Sequence, residues 1–226
     1  MFDLDGTLVD SVPDLAVAVD NMLEQLGFAG AGEQRVRGWV GNGAAKLVQR
    51  ALAFALSTGP AGGAAAGIES ADGAPDDAAV NSALQIFLQF YQQCNGAYSR
   101  LYSGVSPALQ HWQRHTIPMA IVTNKPLQFV PELLSRLGIE HYFSVLVGGE
   151  CTARKKPSPQ PLYYACRQLG VDPGACLMIG DSRNDVQAAR SAAMPVVAVS
   201  YGYNHGEPIA WSQPDRVIDR LDELIL

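Results

Sequence analysis

The chain opens MFDLDGTLVD, placing Asp3 and Asp5 two positions apart with Gly6 and Thr7 directly after them. Among 14 aspartates in 226 residues, about one such pair arises by chance, so the pair alone reads equally as a solvated turn. Gly6 sharpens it, because glycine permits a tight turn and leaves backbone N–H groups able to face an anion. Three more polar groups follow apolar runs. IVTNK (121–125) ends in Thr123, Asn124 and Lys125; RKKPSP (154–159) holds Lys155 and Lys156; IGDSRND (179–185) holds Asp181 and Asp185. Each has a plain reading by itself: a strand-end turn for the first, a solvated charged face for the second, a helix cap for the third. Lysine is scarce, however. Of the four, at 46, 125, 155 and 156, three follow strand ends. Pro157 holds Lys156 in an extended backbone that helps aim its side chain. Asp185 lies four residues beyond Asp181, one helical turn on, so both can face one cleft.

Taken together, carboxylates from separate strand ends suit Mg2+, which prefers octahedral oxygen ligation by one or two carboxylates, waters and a phosphate. A lysine and the Thr123 hydroxyl supply donors for phosphoryl oxygens. The chemistry implied is phosphoryl transfer.

The elements that must position these groups are legible in the second half. Apolar runs at 117–124, 143–149, 176–181 and 195–200 read as strands, with a short strand near 216–218. Helical patterns at 126–138, 158–170 and 183–193 alternate with them, and Pro near a start or Gly after an end marks helix limits. Such alternation predicts an α/β fold, a doubly wound parallel sheet covered on both faces, with ligands beyond the carboxyl ends of its strands. Residues 12–105 differ: three amphipathic helical patterns and no convincing strand. They predict an α-helical cap inserted after the first strand, with 1–11 and 106–226 forming the core. Asp10 and Ser11 mark the hinge and the start of the cap's first helix. Residues 57–77, rich in Ala, Gly and Ser, read as a mobile loop.

Composition narrows the function. About half of the residues are apolar, 17% are charged, and the net charge is −6, an ordinary globular balance that disfavours nucleic-acid binding. Cys94, Cys151, Cys166 and Cys176 form no CxxC pair and read as reduced thiols of a cytoplasmic protein. No apolar run reaches membrane-spanning length. The four histidines have no metal-binding spacing, so His205 reads as a turn brace.

The stretches DLDGTLVD, TN, KKPSP and GDSRND resemble, in order and spacing, the four motifs of the haloacid dehalogenase superfamily. That resemblance implies a Rossmann-like core with a helical cap, Mg2+ as cofactor, and a role for each matching residue. Asp3 is the nucleophile that forms an aspartyl-phosphate. Asp5 is the general acid, then the base that activates water, and its backbone carbonyl joins the side chains of Asp3 and Asp181 around the metal. Asp5, Gly6, Thr123 and Asn124 hold the phosphoryl group with Lys156, or Lys155, balancing its charge. Asp185 orients Lys156 or water.

GWVGNGAAKLV (38–48) and SYGYNHGEPI (200–209) are similar to a bacterial branch of the superfamily, the phosphoglycolate phosphatases. This implies hydrolysis of 2-phosphoglycolate, a small phosphorylated acid, and a part in glycolate salvage, by a monomer or homodimer. Gly41, Asn42 and Gly43 stand at a predicted helix N-terminus, which favours an anion. With Lys46 or Arg50 they read the substrate's carboxylate, or else form a plain interhelical turn. Rival expectations are a sugar-phosphate phosphatase, a β-phosphoglucomutase-like phosphomutase, or an impaired binding-only relative. The last arises because only Met1 and Phe2 precede Asp3, where a strand of about five or six residues is expected. So short a central strand is expected to leave neighbouring backbone groups unpaired, to weaken the sheet and activity, and to indicate a true start further upstream.

Overall fold

The structure, a computed structural model, describes residues 1–59 and 75–225. Most of the expected mobile loop, residues 60–74, lies outside the described residues. The chain divides into two compact units, Met1–Asp10 with Arg100–Leu226, and Ser11–Ser99.

The second unit is helical: α1 (Val12–Gln25), α2 (Glu33–Arg37), α3 (Ala44–Thr58) and α4 (Asp77–Cys94). Helix α3 runs on through Ser57 and Thr58, where the loop was expected to begin. Ser11 holds the N-cap position of α1, but makes no side-chain capping bond. The chain's return is fixed by Asp14, fully buried in α1. Its carboxylate accepts from the N–H groups of Gly96 (2.8 Å), Tyr98 (2.7 Å) and Ser99 (3.3 Å), and from the Ser99 hydroxyl. A charged acceptor inside a core requires such partners.

The first unit carries β1 (Val9–Asp10), β2 (Arg100–Leu101), α5 (Val105–Arg114), β3 (Ala120–Val122), α6 (Val130–Arg136), β4 (Val145–Val147), α7 (Gln160–Leu169), β5 (Met178–Gly180), α8 (Arg183–Ser191), β6 (Val196–Val199) and β7 (Arg216–Ile218). Strands β3 and β4 pair in parallel, as do β5, β6 and β7. Phe2 bridges Ile121 and Ile179, both in parallel, so the order across the sheet is β4, β3, Phe2, β5, β6, β7. Helix α6 is preceded by a 3-10 turn at Leu127–Phe129, where a continuous helix was expected. The pair β1 and β2 is antiparallel. It places a strand at 100–101, inside the range where none was expected, and brings residues 100–105 into the first unit.

Side chains alternate across each strand, as the two-residue period requires. Ile121, Ile179, Val197 and Val199 enter one core with Val105, Leu109, Val130 and Leu133 of α5 and α6. Ala120, Val122, Met178, Val196 and Ala198 enter the other with Leu162, Ala165, Val186 and Ala189 of α7 and α8. Each large apolar side chain so buried contributes roughly 1.5–3 kcal/mol, and the two layers together fix the sheet from both faces.

The expected unpaired groups around the first residues do not occur. Phe2 N donates to Ala120 O (2.9 Å) and Phe2 O accepts from Val122 N (2.8 Å); Asp3 N donates to Ile179 O (2.9 Å) and Met1 O accepts from Ile179 N (2.9 Å). Three residues thus join the two halves of the sheet and deliver Asp3 to its carboxyl edge.

Candidate active site

Asp3, Thr123 and Asp181 each follow a strand position in this edge, and all three are buried. Lys156 is also buried, at 3% exposure, while Lys155 is exposed. Of the doublet, it is Lys156 that reaches Asp3 and Asp185. Its ammonium lies 3.0 Å from Asp3 Oδ1 and 2.6 Å from Asp185 Oδ1, and donates to Val122 O at 2.6 Å. Three acceptors match its three donors. Asp185 uses its other oxygen in a capping box at the start of α8. Oδ2 accepts from Ser182 N (3.0 Å) and Ser182 Oγ (2.7 Å). Asp185 thus contacts both the start of α8 and the Lys156 ammonium.

Asn124 turns its side chain to the backbone of Lys156. Its amide Nδ2 donates to Lys156 O and its Oδ1 accepts from Lys156 N, both at 3.1 Å. The side chain braces the backbone that carries the lysine. The Thr123 hydroxyl accepts from Lys125 N (3.2 Å) and donates to no described residue.

Asp181 is held by the Thr7 hydroxyl on Oδ1 (2.8 Å) and by Tyr203 N on Oδ2 (2.7 Å). Two glycines make room for it. Gly6 has φ +90, and a Cβ there would stand 2.4 Å from Asp181 Oδ2; one on Gly202 would stand 2.1 Å from Asp181 Cβ. Asp3 Oδ1 accepts from Leu4 N (2.7 Å) as well as facing Lys156, while Oδ2 has no hydrogen-bond partner among the described residues. Asp5 lies at the turn made by Gly6 N with Val9 O (2.9 Å), and its Oδ1 pairs with Lys125 Nζ at 2.9 Å.

Sequence reasoning missed four partners here: Thr7, Lys125, Tyr203 and Asn204. Thr7 and Lys125 were quoted in motifs without a task. Tyr203 acts through its backbone, which no residue type signals. In the stretch where His205 was expected as a brace, Asn204 also braces the turn, accepting from Arg183 N (2.9 Å) and donating to Glu207 O (3.0 Å).

Oxygens of Asp3, Asp181 and Asp185 lie within 4.8 Å of one another. Burial, outweighing the pull of Lys156, lifts Asp3 to about 7. Burial first, then the charges of Asp3 and Asp185, raises Asp181 well above the usual carboxylate range. Burial works against the Lys156 charge, but Asp185 and Asp3 more than offset it and hold its pKa above the ordinary value. One ammonium among three buried carboxylates leaves an excess of negative charge on oxygen donors alone, which fits a hard divalent cation. With Asp185 turned to Lys156 and Ser182, Asp3 and Asp181 are the side chains suited to hold it.

In the second unit, Gly41 (φ 115), Asn42 and Gly43 (φ 86) lead into α3. Lys46 is exposed and donates to Gln49 Oε1 at 2.7 Å. Arg50 donates to Trp39 O at 2.5 Å.

Residues 1–193 match the haloacid dehalogenase-like hydrolase model. The chain is 47% identical over 225 residues to a phosphoglycolate phosphatase of Pseudomonas syringae pv. syringae strain B728a, covering 100% of this chain and 77% of that one. It is 43% identical over 224 residues to a phosphoglycolate phosphatase of Nitrosococcus oceani, covering 99% and 93%. A crystal structure of a predicted phosphoglycolate phosphatase from Haemophilus somnus 129PT is similar with a TM-score of 0.88 and 37% identity, over 99% of this chain and 94% of that one.

Proposed function

The chain belongs to the haloacid dehalogenase-like hydrolase family, and on that premise we propose that it is a Mg2+-dependent phosphatase converting 2-phosphoglycolate to glycolate and phosphate. The observation that carries the chemistry is the Asp3 carboxylate. One oxygen is fixed by Leu4 N and Lys156, and the other is left without a donor, which is the state a nucleophile needs.

In this reading Asp3 Oδ2 attacks phosphorus and the bond from phosphorus to the glycolate oxygen breaks. Asp5 gives its proton to that oxygen, then takes one from the water that cleaves the aspartyl-phosphate. Lys156 and the Thr123 hydroxyl offset charge on the phosphoryl oxygens. Asn124 and Asp185 act one step back, holding Lys156 by its backbone and its ammonium. Mg2+ bound by Asp3, Asp181 and the Asp5 carbonyl would add the positive charge that keeps Asp3 ionised and draws electrons from phosphorus. We assign the substrate's carboxylate to Gly41, Asn42, Gly43 and Lys46. Four free thiols support a reducing, cytoplasmic setting.

Phosphate release from 2-phosphoglycolate and from a panel of sugar phosphates, with and without Mg2+, tests the proposal. It predicts metal-dependent release with the highest kcat/KM on 2-phosphoglycolate, and a loss on that substrate alone in Lys46→Ala. A sugar phosphate preferred by tenfold would replace the substrate; no release from any ester would remove the activity.

A further inference from the structure

Two lysines of this protein are buried, Lys125 at 5% and Lys156 at 3% exposure, and they divide the aspartates between them. Lys156 faces Asp3 and Asp185. Lys125 faces Asp5, with its ammonium 2.9 Å from Oδ1 and side-chain exposures of 3% and 12%. The residues stand 120 positions apart in sequence. The ammonium is aimed by a tight turn after β3: Lys125 N donates to Thr123 Oγ1 (3.2 Å), and Lys125 O accepts from Gly149 N (2.9 Å). Gly149 admits this turn because a Cβ there would lie 2.5 Å from Asn124 O.

Buried ion pairs are weak devices for stability, since apolar replacements often serve as well. Their use is to fix a group in place. We propose that Lys125 is the positioning residue for the acid–base Asp5, an inference that rests on the phosphatase reading above. The contact holds Asp5 by Oδ1. When the phosphorus–oxygen bond breaks, its electron pair stays on the leaving oxygen, which takes the proton from Asp5. An alkyl oxygen needs that proton, whereas a 4-nitrophenyl oxygen carries the charge by itself. A lysine that merely bound phosphoryl oxygens, or merely stiffened the fold, would serve both esters alike.

The test compares kcat/KM on 2-phosphoglycolate and on 4-nitrophenyl phosphate in Lys125→Met, with Mg2+ present. This quantity reports the steps through departure of the leaving group, so the later role of Asp5 toward water does not enter. The alkyl-to-aryl ratio is expected to fall on the order of a hundredfold. In an Asp5→Asn background the same substitution is expected to leave the ratio unmoved, as sites acting as a unit do. If Lys125→Met fails to fold by circular dichroism, Lys125→Gln is read in the same way. An unchanged ratio in the folded variant, or a further fall in the Asp5→Asn background, overturns the inference while the phosphatase reading stands. Wild-type protein that releases phosphate from neither ester removes that reading, and the inference with it.

Discussion

Lys156 commits its three donors to Val122 O, Asp185 and Asp3, and Lys155, one position away, is exposed. No composition argument separates the two residues. The separation comes with a turn in which Ser158 N donates to Lys155 O at 2.9 Å, burying Lys156 and leaving Lys155 exposed. Asp185 was readable as one turn from Asp181, and its dual contact to Ser182 and Lys156 follows from that spacing. The Asn124 brace was not readable, because an amide in a strand-end turn serves a ligand or a backbone equally well. The charge balance yields a prediction at this scale. Asp3 titrates near 7 in the folded protein against an ordinary value of 3.8. Between those values the folded state binds more protons than the unfolded state, so metal-free protein loses stability as pH rises from about 4 to about 7. Asp181 acts in the same direction. Mg2+ competes with those protons, so the rise in Tm on adding it should be larger at about pH 8 than at about pH 5.5. Equal rises, measured by thermal melts at both values, would contradict this account of the cluster.

The strand-end turns do the positioning. Gly6 combines φ +90 with the 2.4 Å approach that a Cβ would make to Asp181 Oδ2. Gly6→Ala therefore meets both backbone strain of about 1–3 kcal/mol and a displaced carboxylate. We expect kcat/KM to drop at least about tenfold and the apparent Mg2+ affinity to fall with it. Wild-type kinetics in this variant would show that the turn has slack. At the scale of elements, alternation of apolar runs with helical patterns sufficed for the parallel sheet, because both faces of each strand are covered and the runs are uninterrupted. It did not suffice for β2, since two residues carry no period, nor for the 3-10 turn at Leu127–Phe129, whose apolar spacing continues into α6. Asp14 was equally invisible: an acidic residue in the first turn of a helix suits the macrodipole, and only the returning chain at Gly96–Ser99 gives it a second task.

Across the whole molecule, the first three residues join the two halves of the first unit's sheet. Their pairing on both sides was not foreseen: Met1 O, Phe2 N, Phe2 O and Asp3 N suffice to meet both neighbouring strands. The helical unit was legible as an insertion from its lack of strands, yet its boundary moved to Ser99 because Arg100–Leu101 pair with Val9–Asp10. Substrate choice was legible only through resemblance, since a Gly-rich helix start such as Gly41–Gly43 is chemically permissive. The acidic net charge of −6 argues against a polyanionic partner. The account stands on Asp3 as nucleophile, and turnover of 2-phosphoglycolate in Mg2+ by wild-type and Asp3→Asn protein tests it most directly. The account predicts rapid phosphate release by the wild type and a loss of roughly a thousandfold or more in the variant, with both proteins folded. Near-wild-type release by Asp3→Asn would contradict it.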